Sequence, residues 1–247
     1  MHINWKKIFT VSFGVIIGVY LLLAVTAFNH PIERDMTCSD VQVTVERNAT
    51  GGFLTPADVS RILTEQQINP VGQRLSDVNL RTIEERLEAQ ELIERAEAYK
   101  TQSGNVKINI SERVPVMHVM AKGEDYYVDR NGKVLTNTGF VCNLVVATGN
   151  ITHDYATRVL APIGRIIMDD DFWRNQIEQV NVLPDSTVEM VPRVGGHTIY
   201  IGRPIGVTKK LERLRKFYRY GLSQAGWNKY SRISVEFNNQ IVCKKKK

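Results

Sequence analysis

The fold is decided by residues 106–115, which read VKINISERVP. The apolar residues of this stretch, from Val106 to Ile110, alternate with polar ones, and this period of two predicts a strand with one buried face. Gly104-Asn105 forms a turn before it, and another strand is predicted around Ile93 to Tyr99, so the two strands form a hairpin. The sequence Glu112-Arg113-Val114-Pro115 ends this structural unit.

Towards the N-terminus the pattern predicts one further strand and two helices. Val41 to Val45 alternates apolar and polar residues, as a half-buried strand does. Thr55 is placed to cap a helix whose first residue is Pro56. Ser76 or Asp77 can cap a second helix. The predicted order of elements is therefore β-α-α-β-β.

This order of elements resembles a POTRA domain, which would occupy residues 36–115. The Glu-Arg-Val-Pro sequence at residues 112–115 adds to the resemblance, because many POTRA domains end on a similar motif. POTRA domains are docking or chaperone-like modules. The resemblance therefore implies protein binding by this region and no catalysis.

The N-terminus predicts a membrane anchor. Ile8 to Phe28 is a run of 21 residues without a charge, and about 20 apolar residues span a bilayer. Lys6 and Lys7 precede the run, so residues 1–7 should stay in the cytoplasm and the remainder of the chain should lie outside. The alternative is a cleaved signal peptide with Val25-Thr26-Ala27 as its cleavage site, but a signal peptide has a shorter apolar segment.

Residues 116–243 are rich in strands and predict a second domain, a mixed β-sheet with flanking helices. The last two predicted strands are Ile233 to Phe237 and Gln240 to Cys243. With the anchor and the first domain, the whole chain belongs to the α+β class. Residues 244–247 are four lysines and are expected to form a disordered basic tail.

A basic helix is predicted from Val207 to Gln224, with its apolar residues on one face. From Arg203 onward the chain has thirteen Lys or Arg and two acidic residues, a local charge of +11. This charge has three interpretations: binding to nucleic acid, contact with anionic lipid, or solvated charges on a helix packed against the sheet. No recognition motif for nucleic acid accompanies it, and the third interpretation is favoured.

The C-terminal half contains a series of motifs in a fixed order: Tyr200-Ile201-Gly202, Lys209-Lys210-Leu211 with Leu214 and Phe217-Tyr218, Gly226-Trp227 with Tyr230, and the pattern from Ile233 to Val242. In these motifs and their order it is similar to the FtsQ/DivIB family of bacterial cell-division proteins. The resemblance covers nearly the whole chain. It implies a non-enzymatic scaffold of the divisome, anchored in the inner membrane with its C-terminal domain in the periplasm, where it takes part in septum formation.

The resemblance also implies partners and a site. The partners would be FtsB and FtsL-like division proteins, one of which adds a strand to an exposed sheet edge. The residues of this chain at the matching positions are Phe237, Asn239, Gln240, Ile241 and Val242. The alternative for Phe237, Ile241 and Val242 is an ordinary place in the core. Family members with a longer and less basic C-terminus differ here from this chain.

Catalysis and cofactors find no support in the sequence. The five histidines and three cysteines lack the spacing of a metal site, so neither a metal nor a cofactor is predicted. Asp169-Asp170-Asp171 is better explained as a helix cap or as solvated acids, and Gly221 to Ala225 misses the nucleophile elbow. A disulfide between Cys142 and Cys243 is an open alternative. So are a membrane-anchored enzyme of the cell wall and a POTRA protein of export or assembly.

Overall fold

The computed structural model describes residues 5–28, 36–46, 53–136 and 144–246. Within them the chain divides into two compact units. The smaller contains residues 1–44, 56–87 and 96–110, and the larger contains residues 45–55, 88–95 and 111–247.

A long helix, α1, spans Trp5–Phe28. Its side chains are described at residue 9 and from residue 12 to 24, where nearly all are exposed. A search of the described residues found no helix with both the length and the apolarity that crossing a membrane requires. The membrane anchor at Ile8 to Phe28 therefore stays a prediction.

The region after α1 has the predicted order of elements. Its elements are β1 (Val41–Glu46), α2 (Pro56–Glu65), α3 (Leu80–Glu88), β2 (Ile93–Lys100) and β3 (Val106–Glu112). The three strands form one sheet in the order β1-β3-β2, so the strand that contains the apolar residues of VKINISERVP is the central one. Val59 and Leu63 of α2 and Ile83 and Leu87 of α3 are buried. The expected β-α-α-β-β arrangement is confirmed.

The larger unit is built on a nine-stranded mixed sheet. Its strands are β4 (Pro115–Ala121), β5 (Glu124–Asp129), β6 (Val134–Thr136), β7 (Val146–Gly149), β8 (Ile177–Val182), β9 (Val188–Pro192), β10 (Thr198–Gly202), β11 (Tyr230–Ser234) and β12 (Val242–Lys245). They are ordered β12-β11-β10-β9-β8-β7-β4-β5-β6. The pairs β4/β7, β7/β8 and β10/β11 are parallel, and the other five are antiparallel.

Helical segments pack on this sheet. They are α4 (His153–Tyr155), a π-helical segment (Ala156–Leu160), α5 (Ala161–Met168), α6 (Asp171–Gln176), α7 (Val207–Phe217), a second π-helical segment (Tyr218–Leu222) and α8 (Ser223–Ala225). Residues such as Leu160, Ile167 and Leu214 of the helices share one apolar core with Val180 and Ile199 of the strands. The predicted mixed β-sheet domain with flanking helices is confirmed.

A buried ion pair lies in the larger unit next to the start of β4. One terminal nitrogen of Arg113 is 2.9 Å from a carboxylate oxygen of Asp129, and the two side chains are 10% and 0% exposed. The other nitrogens of the guanidinium donate to the carbonyl oxygens of Glu91 and Ile93 at 3.1 and 2.9 Å. The second oxygen of Asp129 accepts the backbone N–H groups of Asn131 and Lys133. Every charge in this cluster is therefore hydrogen-bonded, as burial requires.

The C-terminal strands differ from the prediction. The strand expected at Ile233 to Phe237 ends at Ser234, and the strand expected at Gln240 to Cys243 begins at Val242 and continues to Lys245. Lys244 and Lys245 thus belong to a paired strand, which corrects the expectation of a disordered tail for these two residues.

Candidate partner-binding site

The last strand, β12, forms one edge of the nine-stranded sheet. It pairs antiparallel with β11, with Val242 opposite Ser234 and Cys243 opposite Ile233. Among the strands that the structure describes, β11 is its neighbour on one side, and no strand lies on the other. A strand in this position presents backbone N–H and C=O groups that another chain can pair with.

The side chains of β12 are exposed to solvent, except at Cys243. Cys243 packs against the main core, and burial raises the pKa of its thiol. Val242 is 52% exposed, and Lys244 and Lys245 are exposed as well. The edge therefore combines an open backbone, one exposed apolar side chain and two adjacent positive charges.

Four of the five predicted site residues lie before β12 rather than on a strand. Phe237 occupies a bend and is 53% exposed, and Asn239 adopts a left-handed backbone with a φ of 62°. Asparagine is among the few residues that tolerate this conformation, so it suits the turn. Gln240 is exposed, and Ile241 is partly buried against the core. The structure thus brings Phe237, Asn239, Gln240 and Ile241 together with Val242 in one turn and the start of the edge strand.

A side chain of α7 supports this turn by hydrogen bonds to its backbone. The Arg213 guanidinium donates to the carbonyl oxygens of Val235 and Phe237 at 2.7 and 2.9 Å. These carbonyls are engaged by a side chain, which explains why β11 stops before them. On the same helix, buried Lys210 donates to the carbonyl oxygens of Ile201 and Arg203 at 2.9 and 2.7 Å. Burial lowers the pKa of Lys210, and the nearby Glu236 carboxylate partly opposes that effect.

Neither contact was predicted from the sequence, because the charges of the helix were interpreted as solvated. One signal was available for Lys210. It lies three residues after Val207 and four before Leu214, so it falls on the apolar face of the helix, where a charge must find partners. No such signal marks Arg213, because its acceptors are backbone atoms more than twenty residues away in the chain.

The second π-helical segment carries a buried polar pair. The ring nitrogen Nε2 of His197 is 2.7 Å from the hydroxyl of Tyr218. Burial raises the pKa of Tyr218, while burial and the charge of Lys246 lower the pKa of His197. Trp227 packs edge-on against Tyr218 at 5.0 Å. The histidine is therefore a buried packing residue of the core.

The acidic run at residues 169–171 is structural. Asp170 caps α6 by accepting the backbone N–H groups of Phe172 and Trp173. It also pairs with Arg215 of α7. Burial opposes ionisation of Asp170, but the hydrogen bond from Arg215 and the two backbone donors prevail and lower its pKa. The predicted helix cap is confirmed.

Other candidate chemistry is likewise structural. Among the described residues, which do not include 29–35, 47–52 and 137–143, no group of His, Cys, Asp and Glu side chains could hold a metal ion. His118 stacks on Tyr127 at 4.4 Å and lies 2.5 Å from Asp125. Ser223 donates a hydrogen bond to the carbonyl oxygen of Arg219, four residues earlier in the chain. Cys142 lies outside the described residues, so the structure does not test a disulfide between Cys142 and Cys243.

Comparison with known proteins adds two findings to this geometry. Residues 36–111 match the family model of the POTRA-like domain. Residues 114–244 match the family model described as FtsQ/DivIB, C-terminal related, and this match covers more than half of the 247 residues. No curated protein matches the chain. The chain has a POTRA-like domain, and its nine-stranded sheet lies almost entirely within the residues that match the second model. The chain therefore belongs to the FtsQ/DivIB C-terminal related family.

Proposed function

We propose that this chain is a non-enzymatic scaffold of bacterial cell division that binds other division proteins at the septum. The two family matches support a division scaffold, since FtsQ/DivIB and POTRA-like families are in general non-enzymatic. Family members are in general membrane-anchored. In this proposal residues 8–28 anchor the chain in the inner membrane, Lys6 and Lys7 stay in the cytoplasm, and the folded units face the periplasm.

The observation that carries the proposal is the open edge at β12. A segment of an FtsB- or FtsL-like partner adds a strand there, so that backbone hydrogen bonds supply affinity and side-chain contacts supply selectivity. Val242 and Phe237 offer the apolar contacts, since both are about half exposed beside the edge. Lys244 and Lys245 favour a partner segment that carries carboxylates.

The turn before β12 has a definite role in this proposal. Asn239 and Gln240 shape the approach to the edge, and Ile241 fixes the turn to the core. Arg213 holds the backbone of the turn at Val235 and Phe237. A preorganised loop loses less conformational entropy on binding than a loose one, so this support contributes to affinity without touching the partner.

The test compares two valines of equal exposure. Val242 and Val194 are each 52% exposed, so replacing either with glutamate should cost similar stability. The tagged full chain is expressed in its own source, the membranes are solubilised, and the proteins that copurify are identified. We expect FtsB- and FtsL-like proteins with the unaltered chain and with V194E, and a loss of at least tenfold with V242E. A loss of about tenfold corresponds to about 1.4 kcal/mol.

The outcomes separate the parts of the proposal. Equal recovery with V242E and V194E would show that the partners bind elsewhere. Absence of these partners from the unaltered chain would contradict the scaffold function itself. Circular dichroism of both variants checks that they fold.

A further inference from the structure

Two adjoining cavities lie along the outer side of α7 and the π-helical segment that follows it. The first has a volume of about 370 Å³ and reaches from α6 to α7. The second, of about 310 Å³, is bounded by Phe172, Tyr218 and Trp227. Arg215 and Arg219 line both cavities, so the two form one groove, which we call the α7 groove.

The floor of the α7 groove is formed by buried apolar side chains. Leu211 and Trp173 line the first cavity and are only 1% and 2% exposed. The Arg215 guanidinium lies 5.0 Å from the centre of the Phe172 ring and 5.6 Å from that of Trp173. Its ion pair with Asp170 fixes it in this stacked position. Arg215 is therefore part of the wall.

The rim carries positive charges that form no ion pair within the described part of the chain. Lys216 and Arg219 are exposed, and neither forms an ion pair with the carboxylates of the described part of the chain. Their situation differs from that of Lys210, Arg213 and Arg215, which all have partners. Tyr220 stands beside them and is 64% exposed. Exposed arginine next to aromatic rings is the composition found at the centre of protein interfaces.

We propose that the α7 groove is a second docking surface, which binds an acidic peptide segment with an aromatic or aliphatic anchor residue. The anchor enters the cavity above Leu211 and Trp173, and the carboxylates of the segment pair with Lys216 and Arg219. Glu212 also lines the groove and can accept a hydrogen bond from the same segment. A peptide offers backbone N–H donors for Glu212 as well as carboxylates for Lys216 and Arg219.

The geometry favours a peptide over a lipid surface. A basic helix that lies on a membrane must turn its apolar face to the bilayer. Here Leu211, Leu214, Tyr218 and Leu222 form that face, and they are 0–3% exposed within the core. The binding surface that remains is concave, which suits a side chain and not a flat layer of headgroups.

The experiment places a photo-crosslinking amino acid, p-benzoyl-phenylalanine, at position 220 of the full chain in its native membranes. An aromatic residue stands there already and is largely exposed, so the fold should be kept. After irradiation the adduct is digested and the attached segment is identified by mass spectrometry. We expect one protein segment of net negative charge that contains an aromatic or large aliphatic residue.

Charge-reversal variants test the role of the rim. K216E combined with R219E should reduce the adduct at least tenfold. The matched control, K209E combined with K229E, makes the same change in net charge at exposed positions that do not line the groove, and it should keep the adduct. V242E should also keep it, because the proposal does not rest on the edge strand.

The remaining outcomes overturn the proposal. They are an adduct with lipid, an adduct with a neutral or basic segment, no adduct, and an adduct that survives the reversal of Lys216 and Arg219.

Discussion

Replacing Arg113 with methionine removes the guanidinium from a buried cluster and leaves a side chain of similar length. The Asp129 carboxylate then stays at 0% exposure without its counterion. It keeps the two backbone N–H donors of Asn131 and Lys133. The carbonyl oxygens of Glu91 and Ile93 lose the donors they now have at 3.1 and 2.9 Å.

The magnitude follows from burial. Breaking a buried ion pair by removing one partner costs about 3–5 kcal/mol, because an uncompensated charge is left inside. With a urea dependence of about 2 kcal/mol per molar, R113M should lower the unfolding midpoint by about 1.5–2.5 M. The Arg130–Asp169 pair is the matched control, since its length of 3.0 Å is nearly the same but its side chains are 42% and 55% exposed. R130M should shift the midpoint by less than about 0.5 M.

Tryptophan fluorescence of the full chain in detergent micelles measures both midpoints. Two of the three tryptophans, Trp173 and Trp227, lie in the larger unit, which also contains Arg113. Trp173 is 2% exposed and should report the loss of the core directly. Equal shifts for R113M and R130M would refute the reasoning, because the larger cost is attributed to the burial of the Arg113–Asp129 pair and of its hydrogen-bond partners.

Three other predictions concern pH, backbone and capping. Burial lowers the pKa of His197 from its ordinary 6.5, so just below that pH the histidine is protonated in the unfolded chain and not in the folded one. The melting temperature should therefore fall on acidification from about pH 7 until the pKa of the folded state is passed. The variant H197Q should flatten this pH dependence. G149A should lower the free energy of unfolding in urea by about 3–4 kcal/mol, since Gly149 has a φ of +101° and an added Cβ would collide with the carbonyl oxygen of Val182. Gly123 is the control, because it has a φ of +82° but open space around it, and G123A should cost about 1–2 kcal/mol. D170N should cost about 1 kcal/mol less than D170A, because asparagine still caps α6; equal losses would contradict the capping role.

The parts of the fold that the sequence predicted share a local cause. The alternation in VKINISERVP, the start of a helix at Pro56, and the apolar face from Leu211 to Leu222 each follow from residues within or beside one element. The order β-α-α-β-β followed from local patterns of this kind, and it was enough to indicate the POTRA domain.

The final strands were misplaced because their ends depend on partners distant in sequence. Arg213 takes the carbonyl oxygens of Val235 and Phe237, and this contact ends β11 earlier than the apolar pattern of Ile233 to Phe237 indicates. Lys244 and Lys245 join β12 because β11 offers a ladder there, although a run of lysines alone predicts disorder.

Of the two candidate surfaces, one was predicted from the sequence and the other was not. The turn and edge at residues 237–242 were found from the resemblance to a family, residue by residue. The α7 groove was not found, because its walls come from α6 and α7, which lie more than thirty residues apart in the chain. Arg215 and Asp170 meet only in the folded structure.

The lysines of β12 have a consequence for the behaviour of the protein in solution. An open sheet edge can pair with the same edge of another molecule, which is a common route to aggregation. If two copies of β12 paired in parallel and in register, Lys244 and Lys245 of one copy would face the same lysines of the other, and like charges directly opposite are unfavourable. Charge repulsion therefore disfavours pairing between the β12 edges of two molecules, while a strand of opposite charge can still pair with the edge. Added salt screens the lysines, so it should make the purified protein more prone to self-association.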